Sequence, residues 1–426
     1  MKCCRQKRDC VQHGCRKKPV RRYARLSFCS VASAIVFLSC QSMVTFPEST
    51  PPDTSRSVTD IHFRTVYSHY VLYVTNNGSV LGDAGIAEFA LTPTGSLTAV
   101  GPFATGNEYY ASGPSPAAIA ISPNGQYLYV ANSSETNVSG YTIGPSGALL
   151  PLAGSPFSAG SRPGDIAISP DSHHLYVIGT NDNVVTGFSI GATGELTAVA
   201  GGPFATGVYP HRLAITPNGN YLYVTNVGDA RKGMKIDSNG KLSEDVASEG
   251  LGITGYSIGI DGALSPLAGS PFLNGSLSPF GIQISPNGKY LYVTNSLNKS
   301  ISGYLIGQGG DLTSMSIGPF PTDSEPDDVA ITPDGKYLYA TSAANRLLAF
   351  AINARGELSA ITGPVFTGSD PAGIVVSPDG KYLYVTNYGS NTVSAFVIGP
   401  DGSLSTIGSA FRSGSLPDGI VAATLY

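Results

Sequence analysis

The sequence predicts an all-β fold: a seven-bladed β-propeller of four-stranded antiparallel blades, its ring closed by the C-terminal strand pairing into blade 1. Three observations carry this expectation. The first is a hexapeptide of the form Tyr-Leu-Tyr-Val-Thr-Asn, present in seven variants at Val71–Asn76, Tyr127–Asn132, His174–Gly179, Tyr221–Asn226, Tyr290–Asn295, Tyr337–Ser342 and Tyr382–Asn387. Its spacing of about 46 residues is that of a unit which must stack on its neighbours to bury its faces. The second is composition: 52 Gly, 30 Pro and 13% charged residues suit short strands joined by tight turns. The third lies at the two ends. The first copy starts at its second strand with no preceding Pro-initiated strand, and the C-terminus supplies the missing piece as Leu416-Pro417-Asp418-Gly419-Ile420-Val421-Ala422.

The chain before the repeats reads as two further segments. Residues 1–40 hold ten Lys or Arg and one acid, a net charge of +9, and all six cysteines. The apolar run Leu26 to Ser39 follows this basic stretch; it is too short to span a bilayer but suits a secretory signal. It ends in Phe37-Leu38-Ser39-Cys40, which resembles a bacterial lipoprotein cleavage box. The expectation is export to the cell envelope, periplasm or outer surface, with Cys40 as the lipidated residue and the membrane contacted through that anchor. Simple cleaved export and an uncleaved anchor are the alternatives. Residues 41–65 are rich in Ser, Thr and Pro and read as a tether. The propeller is expected over 66–426.

The cleanest repeat shows how each strand arises. Pro371 to Ser377 is apolar and β-branched and reads as a first, inner strand, ended by the turn Pro378-Asp379-Gly380. Gly in such a turn accepts a backbone conformation that other residues resist. Lys381 to Asn387 is the second strand. Its Tyr382, Tyr384 and Thr386 alternate with Leu383 and Val385, so both faces are bulky, as a sheet covered on both sides requires. Thr392 to Ile398 forms the third strand, and a turn at Gly399-Pro400-Asp401-Gly402 leads to a fourth beginning at Leu404.

Charge and motif content exclude several functions. Beyond residue 40 the chain carries 15 basic and 28 acidic residues, a net −13, without the basic stripe that nucleic acid requires. The repeats contain no cysteine, so neither a disulfide nor a thiol nucleophile operates there. No phosphate loop, nucleophile elbow, zinc-protease helix or EF-hand loop is present, and neither a cofactor nor a bound metal is expected. Asn181-Asp182-Asn183 reads either as a weak calcium site or as a polar turn.

The unit Ser-Pro-Asn-Gly-x-Tyr-Leu-Tyr-Val-Thr-Asn resembles the YVTN-repeat propellers and, more broadly, the seven-bladed lactonase family that includes bacterial 6-phosphogluconolactonase. That resemblance implies lactone hydrolysis at the channel mouth. Family members typically carry Pro-Arg-His and Pro-His-x-His segments at first strands and an Asn-Glu after a second strand. Here the nearest segment is Pro210-His211-Arg212, in reversed order; Thr225-Asn226-Val227 lacks the Glu, and Pro163-Gly164-Asp165 replaces a His-bearing segment.

Candidate site residues come from places where the repeats disagree. Two positions after the leading Pro, the blades read Ala118, Asp165, Arg212, Gly281, Asp328, Gly373 and Gly419; the position before adds His211, Phe280, Asp327 and Asp418. His211 and Arg212 are the candidate catalytic pair, a base near neutral pKa and an anion clamp. Asp165, Arg212, Asp327, Asp328 and Asp418 are candidate ligand contacts, with Tyr109 and Tyr110 as an aromatic platform on the same face. The bland alternative is a polar mouth balanced by ion pairs and water. An insertion in blade 4, residues 228–250, carries nine charged residues and reads as a lid, a partner contact or a tolerated loop. The leading expectation is a monomeric module that binds a small polar ligand or a protein partner; the alternative is a lactone hydrolase.

Overall fold

Each hexapeptide forms the second strand of a blade, and its alternating side chains dictate how blades stack. The computed structural model describes residues 70–78, 84–103, 116–228, 251–272, 278–361, 363 and 365–425. The leader with Cys40, the tether and residues 229–250 of the insertion lie outside the described residues.

Seven antiparallel sheets form, and in the last repeat the order runs from the inner strand Pro371–Val376 through Tyr382–Asn387 and Thr392–Ile398 to Leu404–Thr406. Blade 1 takes its inner strand from the other end of the chain: Pro417–Thr424 pairs with Tyr70–Asn77, with Leu72 opposite Ala422 and Val74 opposite Ile420. The ring is therefore closed as the split first repeat implied. One element was not anticipated. In blades 2, 3, 5, 6 and 7 a two-residue strand, such as Phe411–Arg412, adds to the start of the third strand.

The core is a series of layers between neighbouring blades. Leu383 and Val385 pack against Tyr339 and Leu347 of blade 6, while Tyr384 enters a layer with Leu72, Val74 and Phe89 of blade 1. The tyrosine at the third position of every hexapeptide (Tyr73, Tyr129, Tyr176, Tyr223, Tyr292, Tyr339 and Tyr384) is fully buried. Each donates its hydroxyl to a glycine carbonyl in the outer hairpin of the next blade, at Gly147, Gly194, Gly262, Gly310, Gly356, Gly402 and Gly95, over 2.5–2.9 Å. These glycines have φ between 76° and 89°. Most are also covered by the ring of the first tyrosine of the preceding blade, or by His174 at Gly262, so a Cβ there has no room. The glycine of the outer hairpin thus serves two purposes, bending the chain and receiving the neighbour.

One position breaks the pattern. Opposite the buried tyrosine, the third strand carries Gly140, Gly187, Gly255, Gly303, Ala349 or Ala395, but Glu88 in blade 1. Both Glu88 carboxyl oxygens are buried without a hydrogen-bond partner. Glu88 is shielded from solvent, though under less protein than the channel carboxylates described below, and burial raises its pKa to about 7.

Two outcomes follow from these contacts. Tyr223→Phe leaves the Gly310 carbonyl buried and unpaired and is expected to cost about 1–2 kcal/mol in urea unfolding; an unchanged midpoint would show that the clamp adds nothing. Because the folded pKa of Glu88 lies above its unfolded value, its ionisation lowers stability as pH rises from about 4.5 through 7. Glu88→Gln should therefore gain stability over the wild-type chain at pH 8 relative to pH 5, read by denaturant midpoints at both values.

Candidate functional site

The seven inner strands lie side by side around a central channel, each touching the next. Each starts at a proline, and the pairing register slips within the two or three residues that follow; in blade 4, Pro210 faces Asn226 and Leu213 faces Val224, so His211 and Arg212 together oppose Thr225. Such a bulge re-aims side chains that a regular strand would alternate between faces. The threonine of the hexapeptide holds it in place. Thr225 Oγ1 accepts the Arg212 N–H at 3.2 Å and donates to the Phe280 carbonyl of blade 5 at 2.7 Å. Thr75, Thr294, Thr341 and Thr386 repeat the clip onto Ala117, Asp327, Ala372 and Asp418.

Backbone strain marks the same rim. Arg162, Tyr209, Ser278, Asp370 and Leu416, each immediately before an inner-strand proline, have φ between 49° and 59°. That conformation costs a non-glycine residue about 1–2 kcal/mol. Side-chain oxygens of Asn183, Asn345 and Asn391 offset it by accepting the N–H of Tyr209, Asp370 and Leu416 at 2.8–3.0 Å. Asp182 likewise accepts the Ser161 N–H at 2.7 Å. Asp182 and Asn183 thus take part in holding the rim, as the polar-turn reading of Asn181-Asp182-Asn183 expects.

Asp165, Arg212 and Asp328 line one cavity of about 80 Å³, whose remaining wall includes Ala118, Gly373 and Gly419. The glycines are fixed by packing: a Cβ on Gly281, Gly373 or Gly419 would strike the backbone carbonyl of Asp327, Asp418 or Ala117 in the next blade. Each charged side chain is surrounded by protein yet keeps a surface facing the channel. Asp165 accepts the Leu213 N–H of blade 4 at 2.9 Å, and Asp328 accepts the Val329 N–H at 2.9 Å and a further backbone bond from Ile374 of blade 7. Both carboxylates are therefore oriented by the backbone of the ring.

Arg212 is different. Among the described residues, no side chain accepts a hydrogen bond from its guanidinium and no carboxylate stands within ion-pairing distance. Its environment is nonetheless dominated by Asp328, Asp165, Asp418 and Asp327, whose attraction outweighs burial and lifts its pKa above the usual value. Burial raises Asp165 and Asp328, with Arg212 opposing, and raises Asp327 and Asp418 to about 6 each.

The expected near-neutral histidine is not what His211 provides. Its ring packs on Phe280 at a centroid distance of 4.2 Å, its Nδ1 is buried without a partner, and it does not line the cavity. Burial, with Arg212 adding repulsion, holds its pKa well below 6.5, so it is neutral across the physiological range. The proton-exchanging groups near pH 6 are instead Asp327 and Asp418. These lie one residue nearer the start of their strands than the cavity-lining ring and reach Arg212 through charge. Tyr109 and Tyr110 lie outside the described residues. The threonine clips and the register slip were missed in the sequence; the invariant Pro-x-x spacing before an apolar run was the available signal.

Fold and channel together define a seven-bladed propeller with a charged site at its axis. The sequence matches the family described as Lactonase, 7-bladed beta-propeller, over residues 28–162, 62–201, 148–245, 263–361 and 349–421. The chain belongs to that family. No curated protein matches it. Among solved structures, it is similar to a protein from Lactobacillus plantarum, with TM-score 0.66 and 18% identity over 83% of this chain and 99% of that one. A candidate 6-phosphogluconolactonase from Bacteroides uniformis gives 0.66 and 20% over 83% and 99%. The periplasmic gluconolactonase of Pseudomonas aeruginosa gives 0.61 and 18% over 84% and 99%. At these identities the likeness carries the fold and not the chemistry.

Arg212→Met removes the only cation among the five charged groups. The carboxyl pKa values are already raised above their unfolded values, so their contribution to stability is lost as pH rises through about 6. Without Arg212 that loss deepens: the variant should be weaker than wild type by about 3 kcal/mol at pH 8 and by less at pH 5. Equal deficits at both pH values would mean that the guanidinium does not balance the ring.

Proposed function

We propose that this lactonase-family propeller is a ligand-binding module whose site is the axial cavity between Asp165, Arg212 and Asp328, with Asp327 and Asp418 setting its charge. One observation carries the reading. The Arg212 guanidinium is enclosed by protein, opens onto a cavity and, among the described residues, has no side-chain acceptor or carboxylate in contact, while the carboxylates around it are held in fixed orientations by backbone N–H groups. A mouth that only balanced its own charges would close Arg212 onto a carboxylate, because a direct charge-assisted bond is worth more than a stand-off. A protein partner seated at the mouth is the alternative occupant. Export and lipid attachment at Cys40 are part of the proposal and are supported by the basic leader and the apolar run before that residue.

A second reading, lactone hydrolysis, is supported by family membership and by the two aspartates with pKa near 6. An ionised Asp327 or Asp418 would take a proton from water while the water oxygen adds to the lactone carbonyl. Arg212 would stabilise the resulting oxyanion, and the proton would pass to the ring oxygen as the C–O bond breaks.

Calorimetry and turnover assays on the full chain, against a panel of sugar lactones with and without divalent metal, separate the two readings. Binding without turnover that Arg212→Ala and Asp165→Asn each weaken by about tenfold or more supports the module. Turnover whose pH profile inflects near 6, and loses that inflection in Asp327→Asn or Asp418→Asn, supports the hydrolase. Ligand affinity indifferent to Arg212 and Asp165 would remove the axial site from either account.

A further inference from the structure

We propose that the axial cavity takes a small organic cation: a primary ammonium group seated between Asp165 and Asp328, with a neighbouring oxygen acceptor turned toward Arg212. The inference rests on the axial-site reading and names its ligand class.

Charge counting comes first. Four aspartates face one arginine, and His211 is held neutral, so the enclosed groups hold more acceptors than their own cation can satisfy. Arg162, the other cation near His211, is exposed at the rim rather than in the cavity. A buried carboxylate without a compensating charge is costly, and a bound ammonium compensates it directly. The same excess disfavours a phosphate or carboxylate ligand, which would meet two lining carboxylates for one guanidinium.

The arrangement of donors and acceptors comes second. Asp165 already accepts from Leu213 and Asp328 from Val329, so each remaining lone pair has a set direction and no freedom is lost on binding. Arg212 supplies only donors and, among the described residues, meets no side-chain acceptor, so the ligand must also present an acceptor oxygen. The cavity of about 80 Å³ limits the enclosed part of the ligand to a few heavy atoms. Small amino alcohols and amino-acid amides satisfy all three demands.

Ionisation sets the pH dependence. Asp165, Asp327, Asp328 and Asp418 all titrate above their ordinary range, Arg212 remains charged, His211 remains neutral, and Arg162 stands exposed at the rim. Ammonium binding should therefore strengthen from pH 5 to pH 8 and release protons on the way.

The test compares isosteres on the full chain. Ethanolamine and glycinamide are titrated by calorimetry against ethylene glycol, glycolamide and glycolate, at pH 5.5 and 7.5, in two buffers of different ionisation enthalpy. The expected result is ammonium affinity about tenfold or more above the hydroxyl isostere, proton release at the lower pH, and loss of this preference in Asp328→Asn. Because Asp328 also accepts backbone bonds in the ring, the wild-type isostere pair decides alone. Ethylene glycol binding as tightly as ethanolamine, glycolate binding more tightly, or no binding by either ammonium compound overturns the inference. If sugar lactones still bind through Arg212 in those cases, the axial site stands and only its ligand class falls.

Discussion

The structure depends on one contact made seven times, the hydroxyl of a buried tyrosine donated to a glycine carbonyl in the outer hairpin of the next blade. The contact couples what would otherwise be separate sheets. It requires a tyrosine at a fixed place in the second strand and a glycine at positive φ in the neighbouring hairpin, so each repeat is both donor and acceptor. The series has no end. Tyr384 of blade 7 reaches Gly95 of blade 1, and the strand Pro417–Thr424 completes the same blade from within. An open sheet edge, a liability in any β protein, is thereby removed.

Radial packing of this kind decides where chemistry can be placed. Among the described residues the interblade layers are filled mainly by Tyr, Leu and Val, with Glu88 the one acid set into them. At the axis the constraint is different. Threonine clips bring successive inner strands so close that glycine is required at positions 281, 373 and 419, and a register slip re-aims the residues that follow each proline. Only a few blades use that opportunity, and those that do supply aspartate and arginine. The scaffold and the site are thus separable within one repeat: the hexapeptide builds the ring, and the residues just after the proline furnish its interior.

Arg212 illustrates how the site differs from its parts. Read alone, Pro210-His211-Arg212 is a histidine beside an anion clamp. In the ring, Phe280 and burial keep the histidine neutral and off the cavity, and four carboxylates from three other blades define the field around the guanidinium. Burial in the ring brings Asp327 and Asp418 toward neutral pH against the pull of Arg212, which no local feature of Asp327-Asp328 or Pro417-Asp418-Gly419 announces.

The sequence by itself determined the number of blades, the strand order within each, the closure by the segment Leu416 to Ala422 and the positions at which the repeats disagree. Those features are local or periodic: alternation, turn chemistry and the count of copies survive without knowledge of distance. It also marked Asp165, Arg212 and Asp328 as candidates, because a charge stands out where other repeats place glycine or alanine. Only the tertiary structure decided which of them share a cavity, that Arg212 stands off from the described carboxylates, and that His211 is buried against Phe280. The physical reason is that pKa, ion pairing and cavity shape at the axis depend on separations between blades roughly 50 to 250 residues apart in the chain, which packing alone sets.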